Sequence, residues 1–255
     1  MLTFDGRLER SDSLVTSESS DISIEDLGEG YKIAISKEHR FGTDAFLLAD
    51  FASPRHKDIC CDLCAGNGIV GLLMLRNFQP AKVTAVELQK KAYELAMLSK
   101  ELSGADRFEP QNCDLRQWRG ERSGAYDVIT CNPPYKIAGT GAKSANDAEA
   151  LARHEIECTI FDVCEAAKRN LKYGGRLCIC NRPERLAGCI SAMRQNGIEP
   201  KRLRTVHKNA GSPAWLILLE GRFGGSGFMK IEPPLIVQGE GGEEYSDEMK
   251  RIYRL

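Results

Sequence analysis

Asp127-Val128-Ile129-Thr130-Cys131-Asn132-Pro133-Pro134-Tyr135 is the stretch whose reading decides the fold. Val128, Ile129 and Cys131 form the apolar core of a buried strand, and the two prolines that follow remove backbone donors, so strand pairing must stop there. The chain leaves the sheet at Asn132, at the carboxyl end of a strand, where open α/β sheets place their ligands. The Asn132 amide can both donate and accept. Pro133 and Pro134 stiffen the exit and leave carbonyls free, and Tyr135 offers a flat ring. The four residues make a clamp for a planar group that carries an NH2. Asn-Pro by itself also starts an ordinary turn. The clamp reading therefore needs a second site, for a reagent that attacks such an amine.

That site lies upstream. From Asp58 onward strands and helices alternate: strand 59 to 63, helix 69 to 78, strand 82 to 87, helix 89 to 103, a strand near 108 to 113, strand 126 to 131 and helix 148 to 170. Lys172-Tyr173-Gly174-Gly175 ends that helix before strand 176 to 180 and helix 183 to 196, and β-like runs at 202 to 207 and 214 to 220 suit a terminal antiparallel hairpin. Such alternation predicts a parallel sheet wrapped by helices. Asp62-Leu63-Cys64-Ala65-Gly66-Asn67-Gly68 joins the first strand to its helix, and the glycines let backbone approach a ligand at the helix N-terminus. Glu87 ends the next strand 21 positions after Gly66, which suits hydrogen bonds to both ribose hydroxyls of an adenosine cofactor. Gly71 would complete a dinucleotide fingerprint, so spacing alone leaves that cofactor open. Asp62 decides against it, because a carboxylate at the turn repels a pyrophosphate and suits the cationic groups of S-adenosylmethionine. Asp114, after the third strand, is either the acceptor for the adenine amine or a solvated turn residue.

The totals restrict the remaining classes. A chain of 255 residues with 42% hydrophobic content can bury one large α/β core, and its formal net charge of -1 excludes a strongly basic whole-protein footprint. No apolar run is long enough for a membrane span and residues near the start lack a signal peptide's apolar segment, so a cytoplasmic location is expected. Of the ten cysteines, Cys60, Cys61, Cys64, Cys131, Cys178 and Cys180 lie in apolar runs and read as core. Cys61-x-x-Cys64 has no second pair to complete a metal site, so no metal is expected. Residues 1 to 20 are polar and read as a flexible start, and 21 to 36 as a β-hairpin outside the main sheet. In Arg40-Phe41-Gly42-Thr43-Asp44-Ala45, Thr43 is a candidate helix cap, and Asp44 either complements the helix dipole or contacts a ligand.

Together, Asp62-x-x-x-Gly66-x-Gly68, Glu87 and Asn132-Pro133-Pro134-Tyr135 resemble the class I S-adenosylmethionine-dependent methyltransferases that act on amines. Phe41-Gly42-Thr43-Asp44-Ala45, Ala152-Arg153-His154-Glu155 and Pro233-Pro234-Leu235 narrow the resemblance to the bacterial tRNA1(Val) adenine-37 N6-methyltransferases, over about residues 22 to 237. It implies a Rossmann-like, seven-stranded, mostly parallel sheet of order 3-2-1-4-5-7-6 with helices on both faces. It also implies one catalytic domain over 21 to 237, with 238 to 255 an unassigned C-terminal tail. Thr43, Asp44, Asp62, Gly66, Gly68, Glu87, Leu88, Asp114, Leu115 and Asn132 would hold the cofactor. Asn132, Pro133, Pro134 and Tyr135 would hold the adenine, with Tyr135 stacked on the base. Substrate, on this likeness, is an unpaired adenine of a tRNA anticodon loop, and the enzyme is expected to work as a monomer.

The segment from Lys136 to Ala150, rich in Gly, Ala, Ser and Lys, reads as a substrate loop or a surface linker. Arg153 and His154 are an exposed helix start that the resemblance turns toward substrate contact. Eight basic residues (Arg176, Arg182, Arg185, Arg194, Lys201, Arg202, Arg204, Lys208) stand against Glu184 and Glu199 in residues 176 to 208, a local balance of 8 − 2 = +6. This run, with Arg202 and Arg204 at its centre, is the expected tRNA-docking patch. Two other readings stay open: a protein glutamine N5-methyltransferase, whose substrate amide offers the same NH2, and a non-catalytic module that binds cofactor or RNA.

Overall fold

A computed structural model describes residues 22–120, 123–133, 158–239, 241 and 243–255. The hairpin consists of β1 (Ile22–Gly28) and β2 (Tyr31–Ser36), paired antiparallel and separate from the main sheet. After α1 (Thr43–Ala52) the alternation runs β3 (Ile59–Leu63), α2 (Ile69–Phe78), β4 (Lys82–Glu87), α3 (Lys90–Ser103), β5 (Phe108–Asn112) and β6 (Tyr126–Cys131). It continues with α4 (Ile160–Asn170), β7 (Leu171–Asn181), α5 (Leu186–Gln195), β8 (Ile198–His207) and β9 (Ala214–Phe223). Two-residue strands β10 (Lys230–Ile231) and β11 (Leu235–Ile236) and helix α6 (Asp247–Tyr253) follow. The long strands lie in the order β5-β4-β3-β6-β7-β9-β8, with β9 antiparallel to both its neighbours. Counted from β3, this is the expected 3-2-1-4-5-7-6. The strand number differs: β10 and β11 each pair in parallel with the outer edge of β8, which makes nine strands among the described residues rather than seven.

Strand alternation splits the core into two layers. Cys60, Val128, Cys178 and Cys180 point to the face covered by α1, α2, the hairpin and α6. Cys61, Ile129, Cys131, Leu177 and Ile179 point to the opposite face, under α4 and α5. All ten cysteines are free thiols. Cys64 departs from the core reading, because it is only partly buried and lines the cavity described below. The edge of β2 is covered by α3. Ser99 Oγ accepts from the Ala34 N–H at 2.9 Å, and Ser103 Oγ bonds both the N–H and the carbonyl of Lys32. Asn67, in the turn after β3, donates to the Ala34 carbonyl. The hairpin is thereby fastened to the cofactor turn and to α3 by its own backbone groups.

Two helix starts differ from expectation. Of the helix expected over 148 to 170, residues 148 to 157 lie outside the described residues; the described helix begins at Ile160, where Thr159 and Asp162 close a capping box in which each side chain accepts the other's backbone N–H. Thr43 does not cap α1. The cap position is Gly42, which has no side chain to offer, and Thr43 is the first helical residue. The expected tail from 238 contains α6, whose Met249 and Ile252 are buried against the face that carries α1. Among the described residues, no helix is long and apolar enough to cross a membrane, and no group of three or more His, Cys, Asp or Glu side chains could hold a metal ion. Residues 1 to 20, Pro134, Tyr135, Lys136, the segment 136 to 150, Arg153 and His154 lie outside the described residues.

Helix α2 packs closely on β4 and β5 because it has a glycine where they meet. A Cβ on Gly71 would lie 2.6 Å from the Phe108 ring and 3.1 Å from Val83, and Phe108 is fully buried. Gly71→Ala should therefore cost about 1–3 kcal/mol by overpacking. Adding Phe108→Leu should recover part of that loss, so urea unfolding of the double variant should show less destabilisation than the sum of the two single changes.

Candidate active site

The parallel register sets three functional side chains along one edge. Asp62 pairs with Ala85 on one side and Thr130 on the other, so the carboxyl ends of β3, β4 and β6 finish level. Beyond β3 the chain turns through Cys64, Gly66 and Gly68, all at positive φ, and enters α2. Glu87, at the end of β4, fixes this turn: its carboxylate accepts the Gly66 N–H at 2.8 Å and the Gln89 N–H at 2.8 Å. Each carboxylate oxygen keeps further acceptor capacity. Above the turn is a cavity of about 210 Å³, lined among others by Arg40, Asp44, Asp62, Gly66 and Asn132.

Asp62 is 1% exposed. One carboxylate oxygen accepts from the Thr130 hydroxyl at 2.7 Å; the other, Oδ2, is buried with no hydrogen-bond partner among the described residues. Burial pushes its pKa up to about 7, the Thr130 hydroxyl opposes this, and the Glu87 charge adds to it. An acceptor with an unused oxygen in a cavity wall is made for a donor that comes with the ligand, and a cationic donor would also restore its charge.

Asn132 is held from two sides. Its Nδ2 donates to Asp44 Oδ2 at 2.9 Å, and its Oδ1 accepts from the Cys180 thiol at 3.1 Å. Asp44 Oδ1 in turn accepts the Ala45 N–H at 3.0 Å, in the first turn of α1. A carboxylate can only accept, so the NH2 side of the amide must face Asp44. A thiol is a weak donor, so Oδ1 keeps a lone pair for a second and stronger one. Gly42 leaves room beside this pair, because a Cβ there would lie 2.9 Å from Asp44 Oδ1 and push the carboxylate aside. Pro133 is buried directly after Asn132.

Other expected residues are placed differently. Leu88 is 42% exposed next to Glu87, an apolar surface suited to a flat base. Leu115 is instead buried in the second core layer. Asp114 is engaged by its near neighbour: Arg116 donates to it from its backbone N–H, Nε and Nη2, and holds its pKa below the usual carboxylate range. Gly68 is a packing position, since a Cβ would meet Phe108 at 2.6 Å. Thr43 Oγ1 accepts from the Tyr253 hydroxyl at 2.7 Å and is not among the residues lining the cavity. At the centre of the expected docking patch the guanidiniums are paired within the fold. Arg202 bonds Glu220 and the Phe51 carbonyl and lies 3.6 Å from Glu232, while Arg176 shares Glu220. Arg204 makes a two-pronged pair with Glu248 of α6, at 2.7 and 2.8 Å. These guanidiniums tie strands and helix together, and their charge is offset inside the fold. Sequence reasoning missed Thr130, Cys180, Arg40 and the Asp44–Asn132 pair. Thr130 alone was legible, since parallel pairing of β3 with β6 sets it opposite Asp62.

The sheet order and the cleft at its carboxyl edge define the class I methyltransferase fold, with S-adenosylmethionine as methyl donor. The residues fit that donor: Asp62 offers an unused acceptor to a cationic group, a Cβ at Gly66 would meet only open space, and Leu88 is bare for a base. A family model, the methyltransferase small domain, matches residues 37–195, and the chain belongs to that family. A tRNA1(Val) (adenine(37)-N6)-methyltransferase from Vibrio cholerae is 26% identical over 213 residues, covering 83% of this chain and 85% of the relative. One from Flavobacterium psychrophilum is 29% identical over 142 residues, 55% of this chain and 60% of the relative. Among solved structures, a predicted O-methyltransferase from Agrobacterium tumefaciens superposes with a TM-score of 0.67 at 20% identity, covering 83% of this chain and 96% of that one. M. jannaschii TYW2 in complex with AdoMet gives a TM-score of 0.55 at 14% identity over 82% of this chain and 89% of that one.

Because Arg202 neutralises a largely buried Glu220, Arg202→Glu should lower the unfolding free energy by about 3 kcal/mol, as breaking a buried pair does. Arg185→Glu, on an exposed site, should change it by less than about 0.5 kcal/mol. Urea unfolding of the two variants checks the contrast.

Proposed function

We propose that the protein transfers a methyl group from S-adenosylmethionine to the exocyclic N6 of an unpaired adenine in tRNA, of the anticodon-loop A37 kind named in its relatives. The observation that carries this reading is that one cavity is lined by both the cofactor turn, at Asp62 and Gly66, and the amine clamp, at Asn132. A donor on the turn and an NH2 at the clamp would then meet in one place.

When bound, S-adenosylmethionine supplies an electrophilic methyl group on a sulfonium. The chain's own residues supply placement. Asp62 Oδ2 would accept from the cofactor's ammonium group, and Glu87 would accept from its ribose hydroxyls. The adenine amine is a poor nucleophile because its lone pair is delocalised into the ring. Hydrogen bonds from N6–H to Asn132 Oδ1 and to the Pro133 carbonyl would localise that pair and aim it, with Asp44 preventing the amide from turning its NH2 toward the base. Tyr135 would stack on the base, an interaction worth about 1–3 kcal/mol in single-stranded recognition. Positioning is the main catalytic device, and no strong general base is needed, since the methylated amine is acidic enough to pass its proton to water. An anticodon-loop base is already unpaired, which lowers the cost of swinging it out. Tyr135, Lys136, Arg153 and His154 would contact the RNA around that base.

Mass spectrometry of nucleosides from tRNA incubated with the protein and S-adenosylmethionine tests the reading. N6-methyladenosine is the expected product, and Asn132→Ala should abolish it while cofactor affinity stays within about threefold. Methylation of a glutamine-containing release-factor peptide, with tRNA left unmodified, would overturn the RNA assignment in favour of the protein substrate. A pH series tests the cofactor half. Asp62 binds a proton below about pH 7. A cationic ligand prefers the carboxylate, so binding must release that proton, and affinity should weaken by up to about tenfold per pH unit below 7. Isothermal titration of the wild type should show this acid limb, and Asp62→Asn should flatten it at a uniformly lower affinity.

A further inference from the structure

Helix α6 lies beyond the segment matched by the family, yet it reaches the first turn of α1, from which Asp44 holds Asn132. Tyr253 makes the contact. Its hydroxyl donates to Thr43 Oγ1 at 2.7 Å, and its ring meets the Phe46 ring edge-on at 4.8 Å between centroids. Thr43 and Phe46 are the first and fourth residues of α1, so one side chain grips both ends of its opening turn, with Asp44 between them. The cap position of that turn is glycine with no side-chain hydrogen bond, so the Tyr253 contact adds a hold that the cap itself does not supply.

Tyr253 is itself held. Tyr245 packs edge-on against it at 5.3 Å, and Ser246 caps α6 while its hydroxyl donates to the Ile236 carbonyl in β11. Arg251 forms a two-pronged pair with Asp50 of α1 at 2.9 and 3.1 Å, and Glu248 is clamped by Arg204 of β8. The helix is therefore fixed to both α1 and the far edge of the sheet. Tyr253 is partly buried, and its phenol pKa lies above the usual value, chiefly through burial, so it remains a hydroxyl donor at neutral pH.

We propose that Tyr253 is a positioning residue for methyl transfer: through Thr43 and the first turn of α1 it sets the Asp44 carboxylate, and Asp44 sets the Asn132 amide. The inference rests on the clamp role given to Asn132 above. It assigns to a helix outside the family segment a part in the geometry of the reacting amine.

Tyr253→Phe keeps the ring and removes only the hydroxyl. It should lower kcat about fivefold, the effect of one lost hydrogen bond. KM for tRNA should stay within about twofold, because the RNA-contacting groups are untouched. A general packing role predicts a different pattern, which a double-mutant cycle reads. In an Asp44→Asn background, where the carboxylate is already gone, Tyr253→Phe should have no further effect on kcat. Multiplying effects, or a kcat for Tyr253→Phe equal to wild type, would overturn the proposal. The side-chain NH2 of Asn132, identified in a nitrogen–proton NMR spectrum by its loss in Asn132→Ala, gives a readout without substrate. It should shift or broaden in Tyr253→Phe and stay unchanged in Arg254→Ala, at the end of the same helix. An unchanged Asn132 signal in Tyr253→Phe would sink the proposal even if the tRNA assignment held. A shifted signal with no turnover of tRNA by the wild type would leave this inference standing and overturn the RNA reading.

Discussion

A side-chain amide at the end of a β-strand has two faces and little to choose between them. Here the choice is made by the hydrogen bond from Asn132 Nδ2 to Asp44 Oδ2, across 88 residues of chain. The carboxylate cannot donate, so the amide oxygen is left on the other side, where its neighbour is the Cys180 thiol. Much of the surrounding structure maintains that one bond. Gly42 leaves room beside Asp44, α1 carries the carboxylate to the mouth of the sheet, and the pairing of β6 with β7 brings Cys180 level with Asn132. Across the same edge, Thr130 and Asp62 form a second pair in adjacent strands. The two pairs share the cavity, one on the side of the methyl donor and one on the side of its acceptor.

Asp62 shows how function and stability pull apart at this edge. Buried with one unused oxygen, it holds its proton up to about pH 7, and a ligand bearing positive charge would draw it toward the carboxylate. A core optimised for stability alone would place an apolar side chain there. Thr130 moderates the strain by donating to the other oxygen. Glu87 occupies the opposite position, with backbone N–H groups from the turn and from the start of α3 satisfying it. Two carboxylates at neighbouring strand ends are thus prepared for different partners, one by being left short of donors and the other by being well supplied.

What could be read before the fold was known follows from how local each signal is. Strand and helix periods gave β4, β6 and α2 with the bounds observed, because each depends on a run of neighbouring residues. The order of motifs placed Asp62, Gly66, Glu87 and Asn132 on one edge for the same reason. Pairings between distant segments were not legible, and the Asp44–Asn132 bond is one of these. The partners of the basic run were hidden for a related reason. Part of the +6 excess over residues 176 to 208 is offset by carboxylates outside that window, Glu220 in β9, Glu232 beside β10 and Glu248 in α6. Net charge over a window cannot report charges that fold back onto it. Thr159-x-x-Asp162 was readable as a capping box, a local signal that marks the start of α4.

The sheet's two outer boundaries have a consequence of their own. At one, β5 carries Pro110, which has no N–H to offer; at the other, β8 is bordered by two short strands in place of a long one. Neither side presents an unbroken ladder of open backbone groups, so the sheet resists growing by recruiting a strand from another molecule. Fibre-like self-association through these margins is thereby discouraged by the sheet's own described residues.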